Sequence, residues 1–159
     1  MNVSLSAFIF FESGLYSDMG LQVVYLVLSI YGWYQWLHGG AQRTQLSVSS
    51  ATRRTWLISG VVGIAAWLLI GRLTSMLPGV SLPYLDSALT SLSLIAQWMM
   101  TRKILENWIL WIIADVVYVP MYLYKDLVPT AALYTVFLVL AIMGFVQWRR
   151  SFQGRMALV

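Results

Sequence analysis

Apolar residues run along this chain in long blocks, with polar residues gathered between them. The blocks cover about 15–37, 56–77, 84–101, 105–124 and 128–148, and a shorter one covers 2–11. A bilayer-spanning helix needs roughly 20 apolar residues, so the five long blocks span or nearly span and 2–11 is too short. The pattern predicts an all-α polytopic membrane helix bundle. Pro78 and Pro83 bracket a turn, and Pro129 falls in a first helical turn, where a missing N–H costs little. Pro120 lies inside 105–124 and is expected to kink that helix. The one long polar connection runs from His38 to Thr55.

Polar positions inside the blocks keep a helical period. Asn107, Trp111, Asp115, Tyr118 and Tyr122 follow at +4, +4, +3 and +4, which puts them on one stripe. Asp18, Gln22, Tyr25, Ser29, Trp33 and Trp36 repeat the design in 15–37, and 84–101 adds Thr90, Gln97 and Thr101 with Trp98 close by. A carboxylate at the depth of Asp115 costs several kcal/mol unless it faces a cavity or a partner. The stripes are therefore expected to face inward and line a binding pocket. The alternative for Asp115 is a structural carboxylate hydrogen-bonded between helices. Ser29, Thr90 and Thr101 suit helix–helix hydrogen bonds as well as pocket lining. Trp36 and Trp148 read as members of an interfacial aromatic belt, with His38 an interfacial loop residue.

Composition narrows the chemistry. Of 159 residues, 60% are hydrophobic and only 10% charged. A soluble domain carries about 25% charged residues, and one this small still exposes much of its surface, so a soluble single domain is excluded. With no Cys, disulfides, thiolate metal sites and a Cys nucleophile are excluded, and the single His38 excludes a multi-His metal site. Ser-His-Asp sets and phosphate-cradling Gly loops are absent, so neither an enzyme nor a cofactor is expected. Residues 1–11 have no basic start and no small-residue cleavage site, unlike a signal peptide. Aromatic faces, amides and one carboxylate suit a planar ring bearing hydroxyls or a carboxamide, and a cationic ring best.

The net charge of +4 sits in the loops, where it sets orientation rather than binding nucleic acid. With alternating spans, Arg43, Arg53, Arg54, Arg102, Lys103, Arg149, Arg150 and Arg155 fall on one side, and Arg72 and Lys125 on the other. The basic side is expected to be cytoplasmic, with the C-terminus there.

The chain also contains a repeat. Residues 26–36 (LVLSIYGWYQW) and 138–148 (LVLAIMGFVQW) agree at seven of eleven positions at an offset of 112, and Tyr25/Phe137, Leu21/Leu133 and Leu15/Leu127 extend the match. Both copies run from outside to inside, so the repeat is parallel, one of the two repeat types found in secondary transporters. Its unit is three helices, 84–101, 105–124 and 128–148, preceded by a linker helix at 56–77. The same offset places the start of the first copy before residue 1. About thirty or more residues, including a first helix, are then expected to be missing from the chain. The expected division is 1–38 as the remainder of the first three-helix repeat, 39–80 as a cytoplasmic loop and linker helix, and 81–159 as the second repeat and tail.

LYSDMGLQ followed by YGWYQW, then TRKILENWILWIIADVVYVPMYLYKDL and the closing FLVLAIMGFVQWRR, resemble the nicotinamide riboside transporter (PnuC) family over nearly the whole chain except 39–80. The resemblance implies a 3+1+3 arrangement of seven helices in the bacterial inner membrane. It further implies a homotrimer and facilitated diffusion of the vitamin into the cytoplasm, where phosphorylation traps it for NAD synthesis. Gln97, Trp98, Asn107, Trp111, Asp115 and Tyr118 are the binding residues that it carries over, joined by Gln22 and Trp33 from the repeated stripe. Open alternatives are a carrier of thiamine or another vitamin precursor, a substrate-capture subunit served by a separate energising protein, and a shortened chain with only a structural role.

Overall fold

The computed structural model describes residues 16–76 and 82–156; segment 2–11 and Pro78 lie outside them. The described elements are helical, and the chain divides into two compact units, Met1–Ser47 and Val48–Val159. In the first, α1 (Tyr16–His38) ends where the Gly39 N–H donates to Gln35 O. A short 3-10 turn, Ala41–Arg43, then folds the chain back until the Leu46 N–H reaches Trp36 O at 3.0 Å. His38 lies stacked on Tyr34 at 5.0 Å between centroids. Ser29 donates to Tyr25 O of its own helix at 2.7 Å.

The second unit holds α2 (Arg53–Thr74), α3 (Pro83–Thr101), α4 (Asn107–Tyr124) and α5 (Val128–Met156), packed α2 on α3, α3 on α4 and α4 on α5. The bounds follow the apolar blocks closely except in α5. That helix runs past Trp148 through Arg149–Gln153, where no proline stops it. α4 continues through the exposed Pro120 to Tyr124. Arg53–Thr74, Asn107–Tyr124 and Val128–Gly154 are long and apolar enough to cross a membrane. α3 has the length but carries Asp86, Ser87, Thr90, Ser91, Ser93 and Gln97. It tolerates them because two neighbours flank it: Ser87, Leu89, Ser91, Ser93, Ala96, Met99 and Thr101 are all buried. α2 and α5 instead turn Leu57, Ile58, Val61, Leu68, Val136, Val139 and Leu140 outward, as helices solvated by lipid do.

Small residues bring α2 and α3 together. A Cβ on Gly71 would lie 2.7 Å from the Tyr84 ring, and one on Gly63 would lie 2.5 Å from the tip of Ile95. The close approach lets Ser91 donate to Gly63 O at 2.7 Å and the Trp67 indole donate to Tyr84 O at 2.8 Å. Small residues and interhelical hydrogen bonds are what hold helices together where apolar contact confers no advantage over lipid. α3 and α4 both end in Schellman turns. Ile104 N–H reaches Met99 O and Lys103 N–H reaches Met100 O, and Leu127 and Asp126 repeat this on Tyr122 and Leu123. The left-handed positions are Lys103 (φ 50°) and Asp126 (φ 56°), where glycine is usual.

The loop before α2 is tied to the α3–α4 turn. Ser49 and Ile104 form a parallel bridge, with Ser49 N–H on Lys103 O and Leu105 N–H on Ser49 O. The Glu106 carboxylate accepts from the Ser50 hydroxyl at 2.5 Å and from the Ala51 N–H at 2.8 Å. At the same end Trp108 meets Trp148, so within this unit Arg53, Arg54, Arg102, Lys103, Arg149 and Arg150 share one end while Arg72 and Lys125 lie at the other.

Gly71→Ala should destabilise the protein by about 1–3 kcal/mol, the range for overpacking. Gly60→Ala, whose Cβ would meet nothing within 4 Å, serves as the matched control and should be neutral or better. Thermal unfolding in one detergent compares the two. Glu106→Ala removes the acceptor of two donors, at a cost of about 1 kcal/mol for a half-buried site. Trypsin should then cut at Arg53 and Arg54 faster than in the parent.

Candidate binding site

The stripe on α4 turns inward. Asn107, Asp115 and Tyr118 are buried, and Trp111 and Tyr122 are half-buried. Ile109, Ile113, Val116 and Leu123, on the opposite side, are exposed. Lipid solvates the apolar face and the neighbouring helices take the polar one, which the cost of polar groups in hydrocarbon requires.

The first turns of α4 leave hydrogen-bonding capacity unused. Asn107 is fully buried; its Nδ2 donates to Ile104 O at 2.5 Å, while its Oδ1 has no partner. The indole Nε1 groups of Trp108 and Trp111 are also buried without partners. One acceptor and two donors therefore sit within a 100° arc and about 6 Å of helix. One further turn along, Asp115 is 3% exposed, and no hydrogen bond or ion pair reaches it among the described residues. Buried polar atoms are nearly always paired, so the three unmet groups near Asp115 make this part of α4 the candidate site.

Trp108 was not among the expected residues. It is seated by Gly144, where a Cβ would lie 2.5–2.7 Å from three atoms of its ring, and by Trp148, edge-on at 5.3 Å and 85°. Trp148, expected as a belt residue, thus also packs against the site. The signals were present in the sequence: Trp108 and Trp111 are three apart, and Gly144 is matched by Gly32 in the repeat.

Beyond Asp115 lies an aromatic group. Tyr118 stacks on Tyr122 (5.6 Å, 17°) and meets Tyr134 of α5 at a tilt (4.6 Å, 41°), Tyr122 stacks on Tyr134 (5.1 Å, 30°), and Phe137 meets Tyr134 edge-on. Leu89, Ala114 and Met121 back this group.

The other expected residues lie elsewhere. Gln97 is half-buried on α3. Trp98, one residue on, packs with Trp111 around Ala96, Met99, Ile104 and Leu110 but also lines a cavity against α2. Thr101 donates to Trp98 O at 2.6 Å, within its own helix. Trp33, in the first unit, is 70% exposed. The side chain of Gln22 lies outside the described residues. Among the described residues no group of three or more His, Asp or Glu converges.

Comparisons place this chain in a family. A relative from Escherichia coli strain K12, the nicotinamide riboside transporter PnuC, is 28% identical over 98% of this chain and 75% of its own length. The riboflavin/roseoflavin transporter RibM of Streptomyces davaonensis is 27% identical over 87% of this chain and 66% of its own. The crystal structure of a vitamin B3 transporter, PnuC, shares the fold, with a TM-score of 0.69 at 24% identity over 95% of this chain and 69% of that one. The profile of the nicotinamide mononucleotide transporter family matches residues 1–150. The chain therefore belongs to the nicotinamide mononucleotide transporter family, whose members are multi-pass membrane proteins and not enzymes.

Proposed function

We propose that this protein carries nicotinamide riboside across the bacterial inner membrane by facilitated diffusion, supplying NAD synthesis. The observation that carries the reading is on α4: Asn107 Oδ1 and the Trp108 and Trp111 indole N–H groups are buried without partners, and Asp115 is buried one turn further along. A pyridinium ring with a carboxamide and a ribose offers what those groups lack. The rings of Trp111, Trp108 and Tyr118 attract the cationic ring. Asn107 and the indoles hydrogen-bond its polar substituents, and Asp115 balances the charge or binds ribose. The relative named for riboflavin lacks a cationic ring in its substrate, and Asp115 is the feature here that favours the charged vitamin.

The finer arrangement belongs to the same proposal. The basic end of the second unit faces the cytoplasm, with the C-terminus, by the excess of Arg and Lys there. The two copies of the repeat move against each other as parallel repeats do in other carriers. Gln97 and Trp98 complete the candidate set of this unit, Gln22 and Trp33 stay candidates only by their place in the repeated stripe, and the protein assembles as a trimer.

Purified protein in liposomes should take up labelled nicotinamide riboside without an energy source, and unlabelled riboflavin or thiamine should compete poorly. Uptake that needs a second protein, or equal uptake of riboflavin, contradicts the proposal. Trp111→Ala should weaken binding by about 2 kcal/mol, the value for a desolvated cation–π contact. Asp115→Asn keeps shape and removes charge; loss of binding assigns Asp115 a charge role. Gly144→Ala should displace the Trp108 ring and lower uptake while the protein still inserts and folds. Unchanged affinity in all three variants would make the stripe a polar seam between helices.

A further inference from the structure

The turn before α4 fixes how Asn107 presents its amide. Ile104 and Leu105 share one peptide group, a planar unit whose carbonyl and N–H point to opposite edges. On one edge the Leu105 N–H donates to Ser49 O at 2.8 Å. On the other edge the Ile104 carbonyl accepts twice from Asn107, from its backbone N–H at 3.2 Å and from Nδ2 at 2.5 Å. Ser49 is thus linked to the Asn107 side chain through a single rigid group.

A side-chain amide has a donor end and an acceptor end. A carbonyl can only accept, so the Ile104 oxygen takes the NH2 end of Asn107 and leaves Oδ1 turned away from it. With the amide reversed, two oxygens would face each other in a fully buried residue, with no water to separate them. Asn107 therefore offers its surroundings an acceptor, and Oδ1 is the atom left without a partner.

The strap that carries Ser49 has its own support. Val48 is buried, and the Ser49 N–H reaches Lys103 O at 3.0 Å. The next two residues are held by Glu106, whose carboxylate accepts from the Ser50 hydroxyl and the Ala51 N–H. Ser49 and Ser50 are exposed, so water replaces these bonds wherever the carboxylate is missing. Glu106 and Asn107 are neighbours in the chain, with the first tied to the strap and the second buried at the candidate site.

We propose that Glu106 is a positioning residue for ligand selection. By holding the strap it keeps the 104–105 peptide plane, and with it the Asn107 acceptor, in place. The site then favours a ligand group that donates a hydrogen bond over one that only accepts. This inference rests on the reading of the α4 site as the place of nicotinamide riboside. A carboxamide donates through its NH2, whereas the carboxylate of nicotinic acid riboside, on the same ring and sugar, has no proton to give. With the strap released, the peptide tilts, the Asn107 amide turns, and its NH2 end becomes available to a carboxylate. Asp115 disfavours a carboxylate in every variant alike, so a change in the ratio of the two affinities belongs to the amide.

Two measurements on the purified full chain in detergent test this. Calorimetric titration with each riboside gives the selectivity, and hydrogen–deuterium exchange over 102–107 reports on the strap without any ligand. The parent should prefer the carboxamide by about tenfold or more, and Glu106→Ala should narrow that ratio about fivefold, the worth of one hydrogen bond. Exchange at Leu105 should speed up in the same variant. Glu106→Gln should restore both readings, because its Nε2 donates to Ser50 Oγ while its Oε1 still accepts from the Ala51 N–H. Ser50→Ala, at an exposed position, removes one of the two bonds and should narrow the ratio about twofold. A ratio unchanged in both Glu106→Ala and Ser50→Ala overturns the inference and leaves the transport reading intact. Weaker binding of both ribosides at an unchanged ratio overturns it as well, that being the mark of a purely structural role. A parent that binds neither riboside, with exchange responding as expected, overturns the reading of the site on which the selection depends.

Discussion

In hydrocarbon a polar group without a partner costs several kcal/mol, and no water is present to relieve it. The arrangement of the second unit follows from meeting that cost. Ser91 is spent on Gly63 O, Trp67 on Tyr84 O, and Ser87 on Pro83 O with Thr74 beside it. The helix richest in such groups, α3, is the one flanked on two sides. The outer helices can then be apolar almost all round. Among the described residues, the buried side-chain groups that remain unmet fall in two places, the first turns of α4 and the wall between α2 and α3. Because buried polar groups are nearly always paired, both exceptions are informative.

Close packing and the geometry of the candidate site depend on the same residue type. Gly63 and Gly71 let α2 approach α3, and Gly144 opens the space that Trp108 fills. In each case the absence of a Cβ is a condition for a ring or a hydrogen bond elsewhere. Removing side-chain volume at one helix therefore positions an aromatic group on the next. The Schellman turns after α3 and α4 and the Glu106 clamp hold the ends of these helices in place. The side chains that a substrate would meet are thus mounted on rigid elements rather than loops, which favours a site formed before the ligand arrives.

The apolar blocks and the +3/+4 stripe were readable without coordinates. A helix has one period and lipid has one chemical demand, so Asn107, Asp115 and Tyr118 had to be turned inward. The resemblance to the transporter family was carried by the same stretch and by the repeat around Gly144. Less was legible at α3. It was counted among the spans from its length, yet its seryl surface makes sense only when two neighbours are known to enclose it. The ends of α3 and α4 carry Lys103 and Asp126 where glycine would have announced a cap.

By itself the sequence determined that this is a membrane helix bundle, which face of α4 is polar, and where the positive charge gathers. These are properties of one helix in one solvent, and local periodicity is enough to state them. Only the tertiary structure decided that the Trp108 and Trp111 indoles and the Asn107 oxygen go unpaired while Ser91 does not. It also decided that Trp148 packs on Trp108 and that Ser59 faces a cavity with no acceptor. Whether a polar group is satisfied depends on which neighbour the fold brings within hydrogen-bond reach, and neighbours on different helices leave no trace in the spacing along one of them.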